Sequence, residues 1–157
     1  MTAIPAWTDS YVGIPFLDRG ATRDGCNCYG LVRLVLQERA GIALPTYSAV
    51  SATAVLAAAR AFSRAKLLPP WQPVAVRGPD EPSDVFLRHA RSRIAAMDLV
   101  LMTRRGRAAE VDGHIGIMVT PQLLLHVEES CDAVVIPLDE PSVRERVNGI
   151  YRHEALA

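Results

Sequence analysis

Asp24-Gly25-Cys26-Asn27-Cys28-Tyr29-Gly30-Leu31-Val32-Arg33-Leu34-Val35-Leu36-Gln37-Glu38-Arg39-Ala40-Gly41 is the stretch on which the reading of the fold turns. Leu31, Leu34 and Val35 recur at helical spacing, Asn27 or Asp24 can cap the start, and Gly41 suits the position just past the end. The pattern predicts a helix from about Cys28 to Ala40. Cys28 then sits in the first turn, where unpaired backbone N–H groups and the positive end of the helix dipole favour the thiolate and are expected to lower its pKa. Gly30 costs helix propensity but leaves room for another backbone or a substrate near the sulfur. The same residues also fit a small buried cysteine with Gly30 as a packing contact.

Outward from this helix the periodicity changes. Residues 98–103 read as a strand, Arg104-Arg105-Gly106-Arg107 as a solvated polar loop, and residues 114–119 alternate cleanly. Residues 123–127, 133–136 and 147–151 complete a set of short strands joined by turn residues. Helices segregated before an antiparallel sheet describe an α+β domain. Between the two halves, residues 49–66 read as a second helix, with Val55, Leu56, Ala59 and Phe62 on one stripe and Ser51 or Thr53 as caps. Pro69-Pro70 stops it. The prolines from 70 to 82 predict an extended, irregular connection with a mobile tip.

Two histidines bear on Cys28. His114 opens one strand and His126 lies in the next, and parity decides whether they meet. If the loop is the three residues Thr120-Pro121-Gln122, Val119 faces Leu123, Gly116 faces His126 and His114 faces Glu128, so the last four share a face. A two-residue Pro121-Gln122 loop puts the histidines on opposite faces. On the first register His114 can serve as base for Cys28 while His126 orients the imidazole, with Glu128 as the competing orienter; this is the minimum for covalent acyl transfer. Two unrelated strand-end histidines are the plainer alternative. Ile115, Ile117 and Val119, on the other face, are expected to pack on a helix.

Composition bounds the function. The 157 residues are 50% hydrophobic and 22% charged, which suits one domain over residues 1–157. Seventeen basic and seventeen acidic side chains cancel, which argues against a nucleic-acid or anionic-membrane partner. No apolar run reaches the roughly 18 residues of a membrane span, and the first residues show no signal peptide. Three cysteines argue against a disulfide framework. Cys26 reads as a buried neighbour of Cys28 and Cys131 as a core residue near a strand end. His89 and His153 read as surface residues, and Trp7 and Trp71 as packing anchors, Trp71 doubling as an interface candidate.

The order Gly13-Ile14-Pro15-Phe16, Gly20, Gly25-Cys26-Asn27-Cys28-Tyr29-Gly30-Leu31-Val32, Asp98-Leu99-Val100-Leu101, His114-Ile115-Gly116-Ile117 and Leu125-His126 resembles the NlpC/P60 cell-wall peptidases. It is most similar to the branch found in tails of bacteriophages and phage-like gene transfer agents. The resemblance runs from about Tyr11 to Arg152. It implies a papain-like α+β fold in which a helix carrying the nucleophile packs on an antiparallel sheet carrying the base, with residues 49–92 as a helical and Pro-rich insertion. It implies Cys28 as nucleophile, His114 as general base and His126 as the third, orienting residue, with no cofactor and no metal.

The implied substrate is the peptide stem of peptidoglycan, cut by a tail-associated hydrolase that aids genome delivery through the wall. Tail or baseplate hub proteins are the implied partners, and a particle assembled in the bacterial cytoplasm is the implied setting. Asn27 and Tyr29 flank Cys28 where many cell-wall members have Asp and Ser, and Phe16 stands where many have Tyr. Three rival readings compete. One is a zinc site of Cys26, Cys28, His114 and His126, against which the single residue between the cysteines speaks. Another is a structural tail adaptor or plug with a vestigial site. The third is an acyltransferase or amidase with the same Cys/His chemistry.

Overall fold

The computed structural model describes residues 2–45, 70–103 and 112–157. In chain order these form the two-residue strands β1 (Ala21–Thr22) and β2 (Gly25–Cys26), helix α1 (Cys28–Ala40), strand β3 (Trp71–Val76) and helix α2 (Ser83–Ala90). Strands β4 (Leu99–Thr103), β5 (Asp112–Met118), β6 (Leu123–Glu128) and β7 (Cys131–Pro137) follow, then a single helical turn, α3 (Pro141–Arg144), and strand β8 (Val147–His153). Short 3-10 turns lie at Ala6–Ser10, Arg91–Arg93 and Glu154–Leu156. Neither α1 nor any other described helix is long and apolar enough to cross a membrane.

Strands β3 to β8 make one antiparallel sheet in the order β3-β8-β4-β5-β6-β7. Both of its faces are covered, and every residue of β4 is accordingly buried. On one face Leu31, Val32, Val35 and Leu36 of α1 pack with Leu99, Leu101, Ile115, Ile117 and Leu125. On the other, Phe86, Leu87 and Ala90 of α2 pack with Val100, Met102, Met118, Leu124 and Ile150. The alternation along each strand is what divides its side chains between the two cores.

Helix α1 begins where the capping residue predicts: the Asn27 side chain accepts the Gly30 N–H at 2.6 Å. It ends at Gly41, whose φ of 66° is left-handed backbone that a glycine adopts without strain. A wrap of the preceding residues holds its start. Asn27 N–H donates to Gly20 O, and Tyr11 and Arg23 both bond Glu38 on the helix.

Four expectations need correction or placement. The stretch from Trp71 was expected to be an extended, irregular connection, yet Trp71–Val76 is a strand hydrogen-bonded along β8. It lies at the sheet edge, where a proline costs no ladder bond on its outer side, and the pairing shifts register between Pro73 and Ala75 to accommodate it. Cys131 is exposed, not core, because β7 opens at the tip of the β6–β7 hairpin. The helix expected over residues 49–66 and the loop expected at Arg104, Arg105 and Arg107 lie outside the described residues. Trp71 is a packing anchor, set edge-on against His153 with ring centroids 5.0 Å apart.

One polar tie has its acidic end fully buried. Asp98, at the entry to β4, is 0% exposed and takes two bonds from Arg152 of β8, at 2.7 and 2.8 Å, and one from Ala95 N–H. A buried carboxylate is tolerated only when matched this way.

Candidate active site

The β5–β6 hairpin takes the three-residue loop. Ile117 pairs with Leu125, Met118 pairs with Leu124, and Val119 N–H donates to Leu123 O. Continuing that register places Gly116 opposite His126, and a Cβ built on Gly116 would lie 3.2 Å from the His126 Cβ. The two histidines meet: Nε2 of His114 lies 2.8 Å from Nδ1 of His126, one ring donating and the other accepting. Both are buried, at 4% and 5% exposure.

Glu128, two residues along β6, completes the cluster. Its Oε1 is 3.8 Å from His114 Nε2 and 3.4 Å from His126 Nδ1. Arg146, in the turn before β8, bonds the same carboxylate through both terminal nitrogens, at 2.6 and 3.3 Å, and also reaches Thr103 O. Burial alone would raise the Glu128 pKa, but His114, Arg146 and His126 outweigh it and hold the group at about 2. Of the two orienters the sequence allowed, His126 makes the direct bond and Glu128 stands beside both rings.

Cys28 belongs to the core on the α1 side of the sheet. Ile115 and Ile117 belong to the α1 core, whereas His114, Gly116 and His126 alternate with them. In an antiparallel pair every second residue points its N–H at the same neighbour, so Ile115, like Ile117 and Val119, directs its N–H toward β6. The described β5–β6 pairing runs only through Ile117↔Leu125 and Met118↔Leu124. The N–H groups of Ile115, Tyr29 and Cys28 itself lie near enough to the Cys28 sulfur to favour its thiolate. The first turn of α1 therefore packs beside β5 at Ile115, the residue next to His114 in the chain.

The electrostatics correct one expectation. Burial pushes the Cys28 thiol up to about 11, and the three backbone N–H groups pull against it without overcoming it; the Glu128 charge adds to the rise. The helix start is present, but desolvation wins over it. At neutral pH the thiol keeps its proton, so it reacts only if a neighbouring base accepts that proton.

Of the four expected zinc ligands, Cys26 turns away, its thiol on Thr22 O at 3.0 Å. The donors that do cluster are His114, His126 and Glu128, within 4.8 Å of one another. Their geometry is that of a hydrogen-bond chain: two nitrogens sharing a zinc at about 2.0–2.1 Å each stand about 3.3 Å apart, against 2.8 Å here, and Arg146 already holds the carboxylate. Arg146 is the residue that sequence reasoning missed. Nothing in its spacing marks it, because it reaches Glu128 through the folding of the sheet and not along one element.

Solved structures provide the comparison. The chain superposes on an NlpC/P60 family protein from Bacillus cereus with a TM-score of 0.58 at 17% identity, covering 91% of this chain and 36% of that one. A protein described as similar to lipoprotein, of the NLP/P60 family, from Staphylococcus aureus gives 0.58 at 18% identity, covering 97% and 43%. The NlpC/p60 domain of the peptidoglycan hydrolase SagA gives 0.52 at 13% identity, covering 94% and 93%. The chain thus spans less than half the length of the first two and nearly all of the third. No protein-family model and no curated protein sequence matches it. The likeness is one of fold: an α+β domain of NlpC/P60 architecture.

Proposed function

We propose that this NlpC/P60 fold is a cysteine peptidase that hydrolyses amide bonds in the peptide stems of peptidoglycan, with Cys28 as nucleophile, His114 as general base and His126 as its orienting partner. The observation that carries the proposal is the 2.8 Å bond between His114 Nε2 and His126 Nδ1, with the Cys28 sulfur against the N–H of the next residue, Ile115. With Nε2 engaged, Nδ1 of His114 is the nitrogen assigned to the thiol.

The proton on Cys28 Sγ passes to His114 Nδ1 as the sulfur bonds the scissile carbonyl carbon and the carbonyl electron pair moves to oxygen. The N–H groups of Cys28 and Tyr29 lie beside the sulfur and serve the oxyanion. The C–N bond then breaks, the leaving amine takes the proton from His114, and water, deprotonated by His114, releases the acyl group from sulfur. Asn27 keeps the helix start in place without using these donors, since its side chain takes the Gly30 N–H.

The substrate class rests on the sequence resemblance and on the SagA domain being that of a peptidoglycan hydrolase. The setting rests on the resemblance alone: the tail of a phage or phage-like particle, bound to hub proteins, opening the wall for genome delivery. Wild-type protein and its Cys28→Ser, His114→Ala and His126→Ala variants, incubated with purified sacculi, test the activity. Wild type is expected to release stem peptides, the first two variants none, and His126→Gln more than His126→Ala, because an amide still bonds the imidazole. Release that survives Cys28→Ser refutes the assignment.

A further inference from the structure

We propose that Glu128, gripped by Arg146, is a positioning residue whose charge stabilises the imidazolium that forms when His114 takes the proton of Cys28. The proposal rests on the peptidase reading of this site and adds to it the group that makes proton transfer affordable in a buried cluster. When the thiol proton reaches His114, the products are a thiolate and an imidazolium, and no other atom changes its charge. His114, His126 and Glu128 have side chains only 4%, 6% and 10% exposed, so water does little to stabilise the new cation. An uncompensated buried charge is expensive.

The Glu128 carboxylate is 3.4–3.8 Å from the two facing nitrogens, on the same side of the hairpin. Four elements supply the titratable groups: α1 the Cys28 thiol, which feels the Glu128 charge, β5 His114, β6 His126 and Glu128, and the turn before β8 Arg146. Arg146 gives the arrangement its second half. A carboxylate this buried would otherwise take up a proton and lose its effect; His114, Arg146 and His126 together hold it ionised, and the two bonds from Arg146 aim it. The Arg146 side chain is itself tied down, by Nε to Ser142 O and by Nη1 to Thr103 O.

An opposite charge at this distance shifts a titration by about 1–3 pH units, and the Arg146 cation beside it brings the expectation to the lower end. The test reads the histidines directly. Ring resonances of His114 and His126 are titrated by NMR in the Cys28→Ala protein, in the same protein with Glu128→Gln, and in the same protein with Glu128→Asp. Glu128→Gln is expected to lower the midpoint of the pair by about one pH unit, a tenfold loss of proton affinity. Glu128→Asp, which keeps the charge one methylene farther off, is expected to lie between, and it decides the matter should the glutamine protein not fold. Wild-type enzyme and Glu128→Gln are compared in parallel on sacculi. The rising limb of the pH–rate profile is expected to move to lower pH by the same amount, and kcat to fall about tenfold.

Midpoints and profile unchanged in folded Glu128→Gln or Glu128→Asp protein would overturn the proposal, since a merely structural glutamate would alter stability alone. The peptidase reading fails separately, if wild-type protein shows no Cys28-dependent hydrolysis. The NMR titration decides the role of Glu128 in either case.

Discussion

Gly30→Ala should destabilise the protein even though alanine is the better helix former. The substituted Cβ would fall 1.9 Å from Gly20 O and 2.9 Å from both Gly20 C and Ala21 Cα, all of them backbone atoms. Relief requires the wrap to retreat by about 1 Å, the difference between that contact and the closest that real Cβ atoms show. The wrap has no such room. A Cβ on Gly20 itself would lie 2.4 Å from Gly25 O, and Gly20 N–H is bonded to Leu17 O. Gly20 O also accepts the Asn27 N–H at 3.0 Å, so moving it loosens the cap residue.

Overpacking of this kind costs about 1–3 kcal/mol, and the lost cap-side bond about 1 kcal/mol. The gain in helix propensity returns about 1 kcal/mol. The balance is a loss of about 2 kcal/mol, or roughly 4–8 °C in Tm for a domain of this size. Urea unfolding followed by circular dichroism and by tryptophan fluorescence, with coincident transitions as the check on two-state behaviour, measures it. A Gly30→Ala protein stabilised by about 1 kcal/mol would show that helix propensity alone governs position 30, and the close approach of the wrap to α1 would be refuted.

Asn27→Ala removes the acceptor of the Gly30 N–H and should cost about 1 kcal/mol in the same urea experiment; no change would mean the cap is idle. Arg152→Met strands the carboxylate of Asp98, which is 0% exposed, and should cost about 3–5 kcal/mol, while the Asp98→Asn/Arg152→Met double variant should recover part of that. Additive losses in that cycle would contradict the coupling. Glu128 has a folded pKa of about 2 against 4.5 for the ordinary group, so its contribution is complete above pH 4.5 and disappears as pH falls toward 2. Discounted for solvent screening, that contribution is about 2 kcal/mol. The stability gap between wild type and Glu128→Gln should therefore close over that interval, and a gap independent of pH would refute the account of the charge.

The parts of this architecture that sequence reveals are those with a strict local period. Helix α1 could be read closely, with its cap narrowed to Asn27 or Asp24, because the cap, the Leu31–Leu34–Val35 stripe and Gly41 act within one element. The meeting of His114 and His126 followed from parity once the loop was taken as Thr120-Pro121-Gln122, since a strand period of two leaves no freedom. What was not legible depends on neighbours far away in sequence. Strand β3 carries Pro73, which argues against a strand, and only the vacant edge of β8 makes it one. The Cys28 thiol was expected to be acidic from its place on the helix, but its pKa is set by how deeply the sheet buries it. Arg146 is an ordinary charged residue in a turn until the sheet brings Glu128 to it.

If Cys28 attacks an amide carbonyl, a thioester must exist during turnover. Intact-protein mass spectrometry of acid-quenched wild-type enzyme mixed with a soluble stem peptide should show a mass increase equal to the acyl half of the peptide, mapped to Cys28 and discharged by hydroxylamine. The adduct should be absent from Cys28→Ala and from His114→Ala. Peptide cleavage by the Cys28→Ala protein, or an adduct mapped to Cys26 or Cys131 instead, would contradict the account.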